Sequence, residues 1–247
     1  MALEILSNVQ IVLIHTTHPG NIGAAARAMK TMGLEHLRLV APKYFPHDEA
    51  SARAAGAASV LDNAQIHATF ADAVADCGVV LGVSARSRTI ACPQWDARGA
   101  GQHIAACVQH SRVALVFGPE RTGLSNADID RCHGLVQIPA NPDYSSLNLA
   151  AAVQVLAYEL RMAALEQVGV ETTAPPERVP ADARDVERFY EHLRQTLVDV
   201  EFLDPENPRQ LMRRLRRLFN RALPDTMELN ILRGILAAVD ANNAKAR

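Results

Sequence analysis

The residues best placed to do chemistry in this sequence are polar ones that stop apolar runs. Val9–His15, Val79–Ser84, Val113–Gly118 and Leu135–Ile138 each end abruptly in a polar loop. The loops carry His15 and His18, then Ala85-Arg86-Ser87-Arg88, then Pro119-Glu120-Arg121-Thr122, then Asn141, Ser145, Ser146 and Asn148. Ser145 and Ser146 stand where a long apolar helix should begin, and their hydroxyls can accept bonds from the free N–H groups of its first turn. A Ser-rich loop at the mouth of a buried helix offers a small molecule both donors and a rigid support. The same serines could serve as helix caps and nothing more. Glu120 follows a strand-ending Gly-Pro, which favours a site role over the usual fate of a glutamate on an exposed loop.

Several chemistries are disfavoured. The GxGxxG of a dinucleotide site is missing, since the glycine pair here is Gly20-x-x-Gly23, and there is no Walker A lysine. Cys77, Cys92, Cys107 and Cys132 are widely spaced with no CxxC, which reads as free thiols in a reducing cytoplasm. His47, His67, His103 and His110 lack metal-ligand spacing, so no metal is expected. His15 and His18 lie beside the candidate site, but a structural use is favoured for a lone histidine. Trp95 and Cys92-Pro93 read as packing.

The elements that must position these loops alternate at short spacing. Strands are expected at 9–15, 36–40, 64–69, 79–84, 113–118 and 135–138. Helices are expected at 21–33, 48–58, 70–76, 102–109 and from about Leu147 onward. In the last of these, Leu149, Val153, Leu156 and Leu160 form one stripe, and little polar face remains elsewhere, so the helix should be buried. Alternating strands and helices indicate an α/β fold with a mainly parallel sheet and helices on both faces. Ligands of such sheets bind at the carboxyl ends of the strands, where all four polar loops lie.

Past Met162 the pattern changes. Residues 166–182 contain VGVETTAPPERVP and read as a Pro-rich linker between a domain at 1–165 and an all-helical extension at 183–247. One helix carries Val186, Phe189, Tyr190, Leu193 and Leu197. A second is expected from Asp204-Pro205, and a third from Pro224-Asp225, where Asp225 and Glu228 resemble a capping box. The chain has 247 residues, 49% of them hydrophobic, and a formal net charge of −2. That fits one sizeable domain plus a small one, without a membrane span or signal peptide. The near-neutral balance does not advertise a nucleic-acid binder. Local charge does: Arg209, Arg213, Arg214, Arg216, Arg217 and Arg221 crowd the second tail helix, with no acid between 209 and 223. Either this is a solvated face or it is a phosphate-binding one, and arginine suits the latter.

HPGNIGAAARAMKTMG (18–33), LVFGPERTGLSNADID (115–130) and IPANPDYSSLNLAAAVQVLAYE (138–159), in that order, resemble the three motifs of the SPOUT RNA 2′-O-methyltransferases of the TrmH type. SARSRT (84–89) and the tail's LRRLFNRA and ELNILRGILA extend the resemblance to a bacterial branch that methylates tRNA cytidine or uridine at nucleotide 32 of the anticodon loop. The resemblance implies a trefoil knot, S-adenosylmethionine as cofactor, tRNA as partner, a homodimer, a cytoplasmic location, and neither DNA nor membrane as partner. An rRNA ribose methyltransferase, or a silent RNA-binding protein on the same fold, are the alternatives.

It also implies roles. Asn21, Arg27, Glu120, Ser146 and Asn148 match the catalytic set. Val83, Ser84, Ala85, Gly118, Ile138, Ser145, Ser146 and Leu147 match the cofactor loops. Arg86, Arg88, Arg213, Arg214, Arg217 and Arg221 are the expected RNA contacts. Guanidinium stays protonated in proteins, so Arg27 is better suited to holding a phosphate and stabilising alkoxide charge than to acting as a base. Asn21 and Arg27 are six positions apart, so a bend is needed to bring them together, with Glu120 a candidate to orient Arg27.

Overall fold

Strand β1 (Val9–Ile14) shows why the sheet is covered on both sides. Ile11 and Leu13 enter one apolar cluster, Val12 and Ile14 another, because successive side chains of a strand point to opposite faces. The same alternation runs through β4 (Val79–Val83) and β6 (Val113–Phe117), where Leu81 and Leu115 face one cluster and Val80 and Val116 the other. With β2 (His36–Val40), β3 (Gln65–His67), β5 (Gln94–Trp95) and β7 (Gly134–Val136) they make a parallel sheet of seven strands. Its order is β3-β2-β1-β6-β4-β7-β5. The computed structural model describes residues 4–85, 92–166 and 179–246.

Helices α1 (Pro19–Met32), α2 (Asp48–Ala54), α3 (Ala58–Asp62), α5 (Ala97–Cys107) and α7 (Leu149–Glu166) cover the first face. The α7 stripe is buried as expected, with Val153 at 0% and Leu160 at 1% exposure. Helices α4 (Phe70–Val74) and α6 (Asn126–Asp130) lie on the second face, beside the tail.

Some boundaries differ from expectation for local reasons. The helix expected at 48–58 splits because Ala55 and Gly56 take left-handed backbone, at φ 43° and 90°. Helix α5 begins at Ala97, five residues early, where the Asp96 carboxylate accepts from Gly99 N at 2.7 Å. Gly99 and Gly101 concealed that turn from a propensity reading. In the tail, α8 (Ala183–Asp199) is as expected, but α9 (Leu211–Ala222) starts well past Pro205. Asp204 instead closes a local turn by accepting from Glu206 N at 2.9 Å. The Asp225–Glu228 capping box is present and opens α10 (Thr226–Ala246).

The tail has a core of its own, with Phe219 edge-on to Phe189 at 4.9 Å. It is fastened to the second face of the sheet domain. Asn220 donates to the carbonyls of Asp130 and Cys132 at 3.3 and 3.2 Å and accepts from the Tyr190 hydroxyl. Arg213 and Arg217 both pair with Asp130, and Arg216 makes a two-pronged pair with Glu187 at 2.8 and 2.7 Å. The arginines of α9 therefore do not all face solvent or phosphate. Arg217, at 9% side-chain exposure, turns inward, while Arg214 and Arg221 remain exposed. Most of the expected linker, 167–178, and both Arg86 and Arg88 lie outside the described residues.

Candidate active site

Strands β1 and β2 end in residues forced into left-handed backbone, His15 at φ 49° and Ala41 at φ 41°. Such geometry is costly for residues with a Cβ and turns the chain sharply. It delivers Thr16–His18 to the carboxyl edge of the sheet, where the loops after β4, β6 and β7 also arrive.

At this edge three distant residues form one hydrogen-bonded relay. Asn21, in the first turn of α1, donates from Nδ2 to Glu120 Oε1 at 2.9 Å. Asn148 donates from Nδ2 to Asn21 Oδ1 at 3.0 Å. Asn148 Oδ1 in turn accepts from Ala150 N at 3.0 Å and Ala151 N at 3.4 Å, capping α7. Both ends fix the direction of the chain. A carboxylate can only accept, and free helix N–H groups can only donate, so each amide has one consistent orientation. The cap of α7 is thus Asn148, not Ser145 or Ser146 as the sequence suggested.

Glu120 is held from the other side as well. Its Oε2 accepts from Thr17 N at 3.2 Å and Thr17 Oγ1 at 3.0 Å, and its Oε1 from His18 N at 3.3 Å. Partial burial pushes its carboxyl up, but hydrogen bonds from Asn21, its own backbone, Thr17 and His18 outweigh that and hold it below the ordinary value. It is ionised near neutrality, a weak base and a fixed negative charge.

A cavity of about 350 Å³ opens beside this carboxylate. All eight residues of the expected cofactor set line it: Val83, Ser84, Ala85, Gly118, Ile138, Ser145, Ser146 and Leu147. Phe117, Leu149 and Ala152 complete its apolar wall, and Glu120, Arg121 and Thr122 form the polar rim. An apolar cleft of this size with a few convergent polar groups suits a small ligand. The loop after β6 has to double back to leave this space. A side chain at Gly118 would collide with the backbone of Gly123 and Leu124, and Gly123 itself sits at φ 65°. Gly118 therefore needs glycine, and any other residue at Gly123 would be strained.

Of the expected catalytic residues, Asn21, Glu120 and Asn148 converge and Ser146 lines the adjoining cavity. Arg27 does not join them. Helix α1 runs unbroken from Pro19 to Met32, so Arg27 stands about 9 Å along the axis from Asn21, on an exposed face. The expectation that Glu120 orients Arg27 is corrected, because the contacts of Glu120 go to Thr17, His18 and Asn21. Sequence reasoning missed Thr17 and gave Arg121 no role of its own. The position of Arg121 next to Glu120 was the available signal. Thr17 had none, since its partner is 103 positions away.

Among the described residues no helix is long and apolar enough to cross a membrane, and no cluster of potential metal ligands is found. Comparison with known proteins agrees with the geometry. Residues 8–158 match the SpoU rRNA Methylase family, and residues 184–247 match the C-terminal domain of the tRNA methyltransferase TrmJ. The chain is 52% identical over 240 residues to tRNA (cytidine/uridine-2′-O-)-methyltransferase TrmJ of Klebsiella pneumoniae subsp. pneumoniae, covering 96% of this chain and 98% of that protein. It is 53% identical over 239 residues to the TrmJ of Citrobacter koseri, with the same coverage. The crystal structure of TrmJ from Z. mobilis ZM4 superposes with a TM-score of 0.83 at 34% identity, over 94% of this chain and 98% of that one. A doubly covered parallel sheet, a ligand-sized cavity at its carboxyl edge and matches over nearly the whole length lead to one assignment: the chain belongs to the SpoU rRNA methylase family, in its TrmJ group.

Proposed function

We propose that this protein transfers a methyl group from S-adenosylmethionine to the ribose 2′-hydroxyl of cytidine or uridine at nucleotide 32 of the tRNA anticodon loop. The observation that carries the reading is the Glu120–Asn21–Asn148 relay at the lip of the cavity lined by Gly118, Ile138 and Ser145–Leu147. The residues present fit the cofactor. Val83, Ile138 and Leu147 offer apolar surface to an adenine, the Ser84 and Ser146 loops offer polar groups, and the ionised Glu120 complements a cationic ligand. When bound, S-adenosylmethionine supplies an electrophilic methyl group.

The chain's own residues do the rest. The relay locks the Asn21 and Asn148 amides, so polar groups beside the cavity are preorganised and lose little entropy when a ribose arrives. The weak basicity of Glu120 makes it a positioning residue for Asn21 and Thr17. Arg27 keeps its guanidinium in solvent, where it can hold the RNA phosphate. Exposed Arg214 and Arg221 on α9 are the tail residues best suited to a similar role, which makes 183–247 an RNA-gripping extension of the 1–165 domain. The knotted threading of this domain rests on the family resemblance.

Tyr158, Met162 and Leu165 stay 48%, 36% and 43% exposed along one side of α7, whose other side is buried. A second copy of the chain would cover them, which supports a homodimer, and a tRNA substrate is consistent with action in the cytoplasm. The test is to incubate the protein with tRNA, rRNA and methyl-labelled cofactor and map 2′-O-methyl groups. A methyl at nucleotide 32 of tRNA is expected. Methyl groups confined to rRNA, or none at all, would reject the reading.

A further inference from the structure

The segment between β2 and α2 looks in the sequence like a plain connector bounded by Pro42 and Pro46. In the structure it presents an aromatic ring and a cation beside the relay. We propose that Lys43, Tyr44, His47 and Arg121 form a subsite for the RNA nucleotide next to the methylated ribose, its base stacked on Tyr44 and its phosphate held by the charged and N–H groups. The proposal rests on the reading of the chain as an RNA methyltransferase and deepens it.

Tyr44 is 49% exposed although the loop around it is fixed. Lys43 N donates to Thr16 O at 3.0 Å on one side of the ring. On the other side Phe45 packs against the main core, and His47 caps α2 by accepting from Glu49 N at 3.1 Å. A tyrosine held out from an anchored backbone is a preorganised platform, and every base has a face that can stack on it. Stacking asks for no particular base, which suits a site that must accept whatever flanks the target.

A cation and an imidazole flank this ring. Lys43 Nζ lies 5.0 Å from its centroid, and the His47 ring lies 6.4 Å away. Because His47 Nδ1 accepts a hydrogen bond, the ring proton of the neutral form sits on Nε2, a donor free to meet a phosphate oxygen. Arg121, Lys43, Tyr44 and His47 line one open cleft of about 490 Å³, together with Thr17 and His18. Glu49 is the acid on that cleft, and it lies against Gly20 at the α1 side. Arg121 also lines the candidate cofactor cavity, so cleft and cavity adjoin at this residue. Thr17 links them a second way, since it lines the cleft and donates to Glu120. A nucleotide in the cleft therefore lies one short step from the relay, as the neighbour of a reacting ribose must.

Binding of an anticodon stem-loop RNA with a 2′-deoxy target nucleotide tests the subsite without turnover. Tyr44→Ala is expected to weaken binding about tenfold, the effect of losing one base–aromatic stack, while affinity for S-adenosylmethionine is unchanged. Tyr44→Phe, which keeps the ring, should stay within about twofold of wild type. Lys43→Gln with Arg121→Gln should lower the slope of log affinity against log salt by about two. If the wild type methylates tRNA but Tyr44→Ala and the double variant both bind within twofold of it, the subsite is wrong. If the wild type neither binds nor methylates tRNA, the methyltransferase reading fails first and the subsite falls with it.

Discussion

On α9, Arg213, Arg216 and Arg217 are engaged by Asp130 and Glu187. Arg27 on α1, and Lys43 and Arg121 in the strand-end loops, face solvent with no acidic partner among the described residues. By sequence, the helix is the denser cation cluster. In the fold, the sparse set is the more available. A charge already neutralised by a carboxylate displaces few of the counterions condensed on RNA, whereas an exposed one contributes a full phosphate contact. Local charge density in a sequence therefore overstates binding capacity wherever acids from another element can reach the helix.

The strongest way to break this comparison is to remove the acid. Asp130→Ala leaves Arg217 buried at 9% exposure and deprives Arg213 of its partner. Losing one member of a buried pair costs about 3–5 kcal/mol. Urea unfolding should show a loss of that order, read first by probes in the tail. A loss under about 1 kcal/mol would class these pairs with ordinary surface salt bridges.

Acid attacks the same junction through His133. This residue is buried beneath the tail, its Nδ1 accepting from Val80 N at 2.9 Å. Burial pushes its pKa down from 6.5 to about 4. The unfolded chain then binds a proton below about pH 6.5 that the folded chain refuses until about pH 4. Stability is accordingly full above pH 6.5 and falls as pH drops through that window, by roughly 3 kcal/mol. His133→Gln should flatten the pH dependence by a similar amount. An unchanged profile would mean that the buried imidazole is solvated on demand.

Legibility in the sequence followed the range of the interaction. Strands β1, β4 and β6 and the α7 stripe were plain, because apolar runs and a 3.6-residue period are local signals. The two-residue β5 and the glycine-masked start of α5 were not. The cavity-lining residues could be named only because whole motifs resembled a family. No spacing rule joins Gly118 to Ser146. The relay spans 99 positions from Asn21 to Glu120 and 127 from Asn21 to Asn148, so its geometry was invisible before folding. The Arg213–Asp130 pair, 83 positions apart, misled the reading for the same reason.

The other side of the comparison can be sharpened at the relay. Glu120→Gln puts a donor in place of one carboxylate oxygen, either the one that accepts from Asn21 and His18 or the one that accepts from Thr17. Some of these bonds must break, and in the first case the Asn21 amide is then held from the Asn148 side alone. A misplacement near 1 Å costs about a hundredfold in rate, so kcat/KM for tRNA should fall by about that factor while the fold survives. A loss smaller than threefold would make Glu120 a structural anchor only.

The smallest effect separates the two kinds of arginine on one helix. Arg214 and Arg221 are exposed on α9, whereas Arg213 and Arg217 face Asp130. If availability decides binding, Arg214→Gln with Arg221→Gln should flatten the salt dependence of tRNA affinity by about two on a log–log plot. The same pair should leave stability within about 0.5 kcal/mol, as exposed charges usually do. Arg213→Gln with Arg217→Gln should do the reverse. It strands Asp130 at 14% exposure and loosens the tail, yet leaves the slope near wild type because those charges were never free. Filter binding over a salt series, run beside urea unfolding, reads both quantities for both variants. Equal slope losses in the two pairs would show that Asp130 releases its arginines to RNA, and charge density on the helix would then predict binding after all.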